Sequence, residues 1–124
     1  MIIIGHHLVP FNSLYKVANI EDIKKTKPNS IVLIDFSNQS LVQYAKSQHI
    51  SLALHVKNIK DACIANAIGA KFILVDKNIS ENIQNLANEY LFDSKILLCV
   101  DDENGIQSAA ENFIDGVILK KGIV

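Results

Sequence analysis

The chain has no arginine, so its fixed cations are 12 lysines, set against 13 acidic residues. The planar guanidinium is the usual group for bidentate binding of phosphate and of guanine in DNA, whereas a lysine supplies only a point charge. The formal net charge is −1, which leaves no basic field to attract a nucleic acid or an anionic membrane surface. We therefore expect no nucleic-acid partner.

Long apolar runs and cofactor motifs are also missing from the sequence. No stretch approaches the roughly 18 apolar residues of a spanning helix, and the run at residues 2–4 is too short for an export signal. Neither a glycine-rich dinucleotide motif nor a nucleotide-binding P-loop occurs, so we expect no cofactor. Cys63 and Cys99 lie in apolar segments, which favours reduced thiols over a disulfide framework. We expect a cytoplasmic protein with no membrane segment.

Short β-branched apolar runs recur along the chain, and each is nearly continuous rather than alternating with polar residues. This pattern is typical of strands in a parallel sheet that is covered on both faces. Amphipathic stretches separate the runs, which predicts right-handed βαβ units. The sequence therefore predicts one α/β domain over residues 1–124, with about six mainly parallel strands alternating with helices, in a flavodoxin-like or truncated-barrel arrangement. The runs are residues 2–4, 31–34, 52–56, 72–75, 96–100 and 117–119.

The first 19 residues are less regular than the rest. We expect a strand followed by an arm or a hairpin, with an extra strand near residues 15–17. Further along, Gly69 is placed to end a helix in a left-handed conformation, and Ser80 is placed to cap the start of the next one.

Two stretches of the sequence are similar to aldolase-type (β/α)₈ barrels, in particular the bacterial 2-keto-3-deoxy-6-phosphogluconate aldolases. Residues 56–62 followed by 67–73 have the pattern of a strand, a helix with small residues, Gly69-Ala70 and an apolar strand. Residues 100–109 followed by 114–120 repeat that plan and cover, with the first stretch, about half the chain. The resemblance implies a barrel-type fold and a Schiff-base lysine nearest Lys120. The phosphate-binding loops of a full barrel have no counterpart, since eight strands need about 200 residues or more.

Polar side chains follow most of the predicted strands, at the end where parallel α/β sheets bind ligands. His55 is the strongest single catalytic candidate, and Asp101 and Lys120 are the others. Imidazoles with carboxylates can transfer protons near neutral pH or bind a zinc-like ion, although we expect no resident metal. The predicted ligand-binding residues at the same ends are His6, His7, Asp35, Asp76 and Asp102.

A purely structural role for these aspartates is the alternative. An aspartate after a parallel strand commonly caps the next helix, as Asp35, Asp101 and Asp102 could. Convergence of His55, Asp76 and Asp101 in a cleft would favour a ligand site, and a flat end with capping aspartates would exclude one.

The absence of phosphate loops, nucleophile motifs and arginine favours a protein that acts without catalysis, through protein contacts or self-association. The alternative is a small aldolase-like enzyme or small-molecule binder with its site at the strand ends. A six-stranded sheet has two open edges, which pairing with a second copy would cover, so we expect a homo-oligomer or a protein partner. Residues 9–11 and 123–124 are the apolar segments expected at that interface.

Overall fold

A computed structural model describes residues 1–124 as seven strands that alternate with five helices. The strands are β1 (Ile2–Ile4), β2 (Leu14–Lys16), β3 (Ile31–Asp35), β4 (Ser51–His55), β5 (Phe72–Val75), β6 (Lys95–Cys99) and β7 (Gly116–Ile118). The helices are α1 (Ile20–Lys24), α2 (Gln39–Ser47), α3 (Ile59–Ala67), α4 (Lys77–Glu89) and α5 (Asn104–Glu111), followed by a 3₁₀ turn at Lys120–Gly122. The predicted fold class is confirmed, with seven strands where about six were expected.

All strand pairs are parallel, and the sheet order is β1-β7-β6-β5-β4-β3-β2. Apart from β1, which pairs with β7, the strands lie in sequential order. A flavodoxin-like sheet reverses its order at a switch point, so the structure adopts the barrel-type alternative. The sheet curls into an α/β half-barrel. Because β1 and β2 lie at opposite edges, the segment between them is a connection and not a hairpin.

The two edges of the curled sheet are bridged by the C-terminal segment, residues 119–124. The Leu119 N–H donates to the carbonyl of Ile4 on β1 at 2.8 Å. The Val124 N–H donates to the carbonyl of Leu14 on β2 at 2.8 Å, and Ile123 forms a parallel bridge with Leu14. The expectation that both edges remain open is therefore wrong at β2, whose outer edge pairs with residues 123–124, whereas the Leu119 bond continues the ladder between β1 and β7.

Side chains from all seven strands line the concave face of the sheet, and we call them the inner cluster. Most of its buried members are leucine or isoleucine, but β4 contributes only Ala53, and a mostly apolar cavity of about 340 Å³ remains beside Ile2, Ile4 and Phe72. The concave face is therefore not completely filled. Ile123 is partly buried and packs against this cluster as well. The buried members are Ile4, Leu14, Leu33, Ala53, Phe72, Leu74, Leu97 and Ile118.

The alternate residues of the same strands face outward, where the helices cover them in a cluster of 24 buried residues. Burial on both faces explains why the strand sequences are continuously apolar. Three helices begin at an asparagine whose side chain accepts a backbone N–H of the first turn: Asn19, Asn38 and Asn58. Asp76, and not the expected Ser80, is the N-cap residue of α4. No helix has the length and apolar character needed to cross a membrane.

Candidate functional site

The carboxyl-terminal ends of the strands form one edge of the curled sheet, which we call the rim. Asp35 and His55 are register partners at the ends of β3 and β4. Each lies two residues beyond a member of the inner cluster, Leu33 and Ala53. Since side chains alternate along a strand, Asp35 and His55 rise from the inner face at the rim.

His55 contacts Asp76, which follows β5, the next strand in the sheet. Nε2 of His55 lies 3.2 Å from Oδ1 of Asp76. Asp76 occupies the N-cap position of α4, yet its side chain makes no capping hydrogen bond. The Asp76 carboxylate is therefore directed at His55 instead of at its own helix, unlike the three asparagine N-caps. The imidazole is 30% exposed and the carboxylate 56% exposed, so water and solutes can reach both.

Cys99 completes a cluster with these two residues. One ligand atom from each of His55, Asp76 and Cys99 lies within 4.8 Å of the others. Burial raises the pKa of the Cys99 thiol to about 12, and the Asp76 carboxylate contributes to that rise. Sequence reasoning missed Cys99 because it treated the residue as part of an apolar run. Its position two residues after inward-facing Leu97, at the end of β6, was the signal that pointed to the rim.

Asp35 is held in place by its own turn. Its Oδ1 accepts the backbone N–H of Ser37 at 2.9 Å and the Ser37 hydroxyl at 2.8 Å. These two hydrogen bonds lower the pKa of Asp35 below its ordinary value. Burial opposes them, and the Lys57 ammonium and His55 contribute further lowering. Asp35 therefore places a fixed negative charge beside His55. It does not cap α2, whose N-cap residue is Asn38.

The residues after β1 form a second polar contact at the rim. Nε2 of His6 lies 2.9 Å from Oε2 of Glu103, and Nδ1 of His6 accepts the Leu8 N–H at 3.1 Å. This pairing assigns the proton of the neutral imidazole to Nε2, which donates to Glu103. The ring of His7 stacks on that of His6 with centroids 4.5 Å apart. Sequence reasoning named both histidines and missed Glu103.

The remaining candidates lie at the outside of the rim. Lys120 and Asp101 are 82% and 93% exposed, and Nζ lies 4.0 Å from Oδ1. Asp102 accepts the backbone N–H of Asn104 at 2.9 Å in a local turn and does not cap α5, whose N-cap residue is Glu103. None of the three makes a hydrogen bond or ion pair with His55 or Asp76. The predicted convergence of His55, Asp76 and Asp101 is therefore met by the first two only.

One sizeable cavity lies away from these groups. It measures about 440 Å³ and is lined at the opposite end of the sheet by polar loop residues that include Lys27, Asn29 and His49. No carboxylate lines it, so it lacks a paired acid and base. We assign the candidate site to the rim because it brings an imidazole and carboxylates together. The volume of a cavity does not by itself provide reactive groups.

The rim can support two kinds of chemistry. An imidazole in contact with a carboxylate can accept and return a proton near neutral pH. An imidazole nitrogen, a carboxylate oxygen and a sulfur atom are together a donor set for a transition-metal ion. No family model matches the chain, and no curated protein matches it at a significant level.

Proposed function

We propose that this protein binds a small molecule at the rim, with His55 and Asp76 as the groups that contact it. The observation that carries the proposal is the 3.2 Å contact between His55 Nε2 and Asp76 Oδ1. A carboxylate at an N-cap position ordinarily bonds its own helix, and that role is left unused here. An exposed acid–base pair with no structural task is a candidate for ligand recognition.

The charges at the rim restrict the ligand. An acidic residue ends β3 and others follow β5 and β6, whereas the nearby cations are lysines such as Lys57 and Lys120. With no arginine to grip a phosphate in a bidentate manner, the site suits a hydroxylated or cationic molecule better than a polyphosphate. Hydroxyl and ammonium groups donate hydrogen bonds, and Asp35, Asp76 and an unprotonated His55 nitrogen accept them.

An aldolase-like enzyme is the catalytic form of this proposal, and it rests on the resemblance of the βα segments. In that form His55 transfers protons, while Asp101 and Lys120 act at the outer edge. A lysine becomes a nucleophilic amine when it is desolvated or lies beside another cation. At 82% exposure the Lys120 side chain has no such shielding, so we propose binding without a Schiff base.

A thermal-shift screen of purified protein tests the proposal against polyols, amines, keto acids, sugar phosphates and nucleotides. A ligand present at about 100 times its Kd stabilises the fold by roughly 2.7 kcal/mol, which corresponds to several degrees in Tm. We expect a shift with a hydroxylated or cationic compound that disappears in His55→Ala. The control is His49→Asn, because His49 lies at the other end of the sheet with φ 57°, a conformation that asparagine tolerates. A panel without any shift, or shifts that survive His55→Ala, would contradict the proposal.

Self-association through the opposite end of the sheet is the second candidate. Leu91 and Phe113 follow α4 and α5, are 84% and 83% exposed, and adopt positive φ angles of 52° and 56°. Bulky residues in this conformation are strained, and an exposed apolar side chain gains nothing from folding alone. Contact with a second copy of the chain would account for the exposure of both apolar side chains. On this proposal the protein is a cytoplasmic homo-oligomer with no nucleic-acid partner, and sedimentation velocity over a range of concentrations measures the association.

A further inference from the structure

We propose that His55, Asp76 and Cys99 bind a divalent transition-metal ion, Zn²⁺ in the first instance, and leave one coordination position open toward solvent. The inference deepens the proposed function, since it names an ion that would hold a small molecule at the same rim. Three donors of different chemistry from the ends of successive strands β4, β5 and β6 carry it.

The distances between the donor atoms are close to those of a metal site. Zinc binds nitrogen or oxygen at about 2.0–2.1 Å and sulfur at about 2.3 Å, so tetrahedral ligand atoms lie roughly 3.3–3.6 Å apart. His55 Nε2 and Asp76 Oδ1 are already 3.2 Å apart, and all three donors lie within 4.8 Å. Even at that upper limit the sulfur has to approach by only about 1 Å, which side-chain rotation at a strand end can supply.

The surroundings favour binding with three protein ligands. Asp76 gives up no capping bond when it turns to a metal, because it makes none. Cys99 packs against the inner cluster, which fixes the direction from which the sulfur approaches. His55 and Asp76 are partly exposed, so a water molecule or a ligand atom can take the fourth position.

The donor set also selects the metal. A thiolate with an imidazole favours Zn²⁺ or Co²⁺ over Mg²⁺ and Ca²⁺, which prefer oxygen ligands. On coordination the Cys99 S–H bond breaks, the proton leaves to the buffer, and the sulfur donates its electron pair to the metal. The Asp76 carboxylate and the Cys99 thiolate then balance the double positive charge. Asp35, the register partner of His55, adds a neighbouring carboxylate outside the ligand set.

Cobalt absorption tests the inference on the intact chain. We expect chelator-treated protein titrated with Co²⁺ to develop a near-ultraviolet thiolate-to-cobalt band that saturates at one equivalent and is removed by Zn²⁺. The band should be lost in Cys99→Ser and retained in Cys63→Ser, which removes an exposed thiol on α3. Removing even a residue that only supports a metal ligand typically costs about 10–100-fold in affinity. His55 and Asp76 are proposed as direct ligands, so we expect His55→Ala and Asp76→Asn to weaken Zn²⁺ binding by at least about tenfold in calorimetry.

Several outcomes would overturn the metal site. They are a wild-type protein without the band, a band that persists in Cys99→Ser, and a band that is lost in Cys63→Ser. Circular dichroism reports whether each variant folds. Asp76→Asn replaces the carboxylate of a side chain that is 56% exposed and makes no capping bond, so it provides the decisive calorimetric comparison if Cys99→Ser unfolds.

The same variants separate this inference from the proposed function. A small-molecule shift in chelator-treated protein that disappears in His55→Ala, together with no cobalt band, would exclude the metal and leave the small-molecule site. A saturating cobalt band with no small-molecule shift in the metal-loaded or the chelator-treated protein would support the metal site and exclude the small-molecule site.

Discussion

The two ends of the curled sheet differ in which residue types adopt a positive φ angle. At the rim the residue with a positive φ angle is Gly5, and the bridging C-terminal segment packs directly against it. At the amino-terminal end, which we call the base, four helices end in a left-handed residue, and only Gly69 among them is a glycine. The other three are His49, Leu91 and Phe113.

The difference between the two ends follows from how closely the backbone is packed at each. A glycine is required where backbones approach closely, whereas a bulky residue can occupy the left-handed region if its side chain extends into solvent. At the rim, close backbone packing therefore occurs together with the polar side chains of the candidate site. At the base, solvent-exposed turns carry exposed apolar side chains. We expect ligand chemistry at the first and self-association at the second.

The largest expected difference concerns the two thiols. Because the pKa of Cys99 is raised to about 12 from an ordinary 9.0, its thiolate fraction near pH 8 should be about 1,000-fold below that of an ordinary thiol. Exposed Cys63 should therefore react with iodoacetamide quickly and Cys99 very slowly. Mass spectrometry of timed digests measures both rates. Comparable rates would mean that the rim does not shield Cys99.

A matched pair of glycine substitutions tests the closure of the rim. A Cβ at Gly5 would lie 2.7 Å from the Gly122 nitrogen, whereas a Cβ at Gly69 would meet only the end of the flexible Lys46 side chain at 3.6 Å. Both substitutions incur left-handed strain of about 1–2 kcal/mol, and overpacking adds roughly 1–3 kcal/mol for Gly5→Ala. Urea unfolding measures the difference. Equal losses in Gly5→Ala and Gly69→Ala would contradict tight closure by the C-terminal segment.

Substitution of a strained residue at the base should have a smaller effect of the opposite sign. Phe113→Gly should raise the free energy of unfolding by about 1–2 kcal/mol, because it removes the left-handed strain. The greater conformational freedom of glycine in the unfolded chain should lower the same free energy by about 0.4–1 kcal/mol. We expect a net gain of about 1 kcal/mol in the monomer, measured by urea unfolding at low protein concentration. A loss of stability that grows with protein concentration would instead show that Phe113 is buried between copies of the chain.

The smallest expected effect is the pH dependence contributed by Asp35. Its folded-state pKa is lowered chiefly by the hydrogen bonds from Ser37, so the ionised form stabilises the fold above the unfolded pKa of about 3.9. That contribution is lost as the pH falls through the lower folded pKa. Ser37→Ala removes the hydroxyl bond and keeps the backbone one, so the pKa of Asp35 should rise part of the way to its ordinary value. Carbon-detected NMR titration measures the change, and an unchanged pKa would contradict this account of how Asp35 is held.

Most of the fold could be predicted from the sequence because six of the seven strands coincide with nearly continuous apolar runs. The three-residue strand β2 was harder to place, since Leu14–Lys16 includes a lysine and has only one buried residue. The bridging of β1 and β2 by residues 119–124 was not predictable. It depends on backbone hydrogen bonds between residues more than 100 positions apart, such as Leu119 with Ile4.

Part of the candidate site could also be predicted, because the topology of a parallel sheet determines which residues meet at its edge. His55, Asp76 and Asp35 lie at strand ends, and parallel strands bring such residues to one edge. Asp101 was expected with them, but β6 ends at Cys99, so Asp101 lies beyond the sheet and is 93% exposed. Cys99 lies close to His55 and Asp76 instead, because side-chain direction alternates along the strand. The apolar character of the segment does not reveal which way the Cys99 side chain points.

The central claim is that the rim, and not the base, is where this protein binds its ligand. Backbone amide NMR spectra recorded with hydroxylated and cationic fragments test it directly, since each perturbed resonance reports its own position. The account predicts perturbations centred on Asp35, His55, Asp76 and Cys99, with the resonances of Leu91 and Phe113 unchanged. Perturbations confined to the base, or none with any fragment, would contradict it.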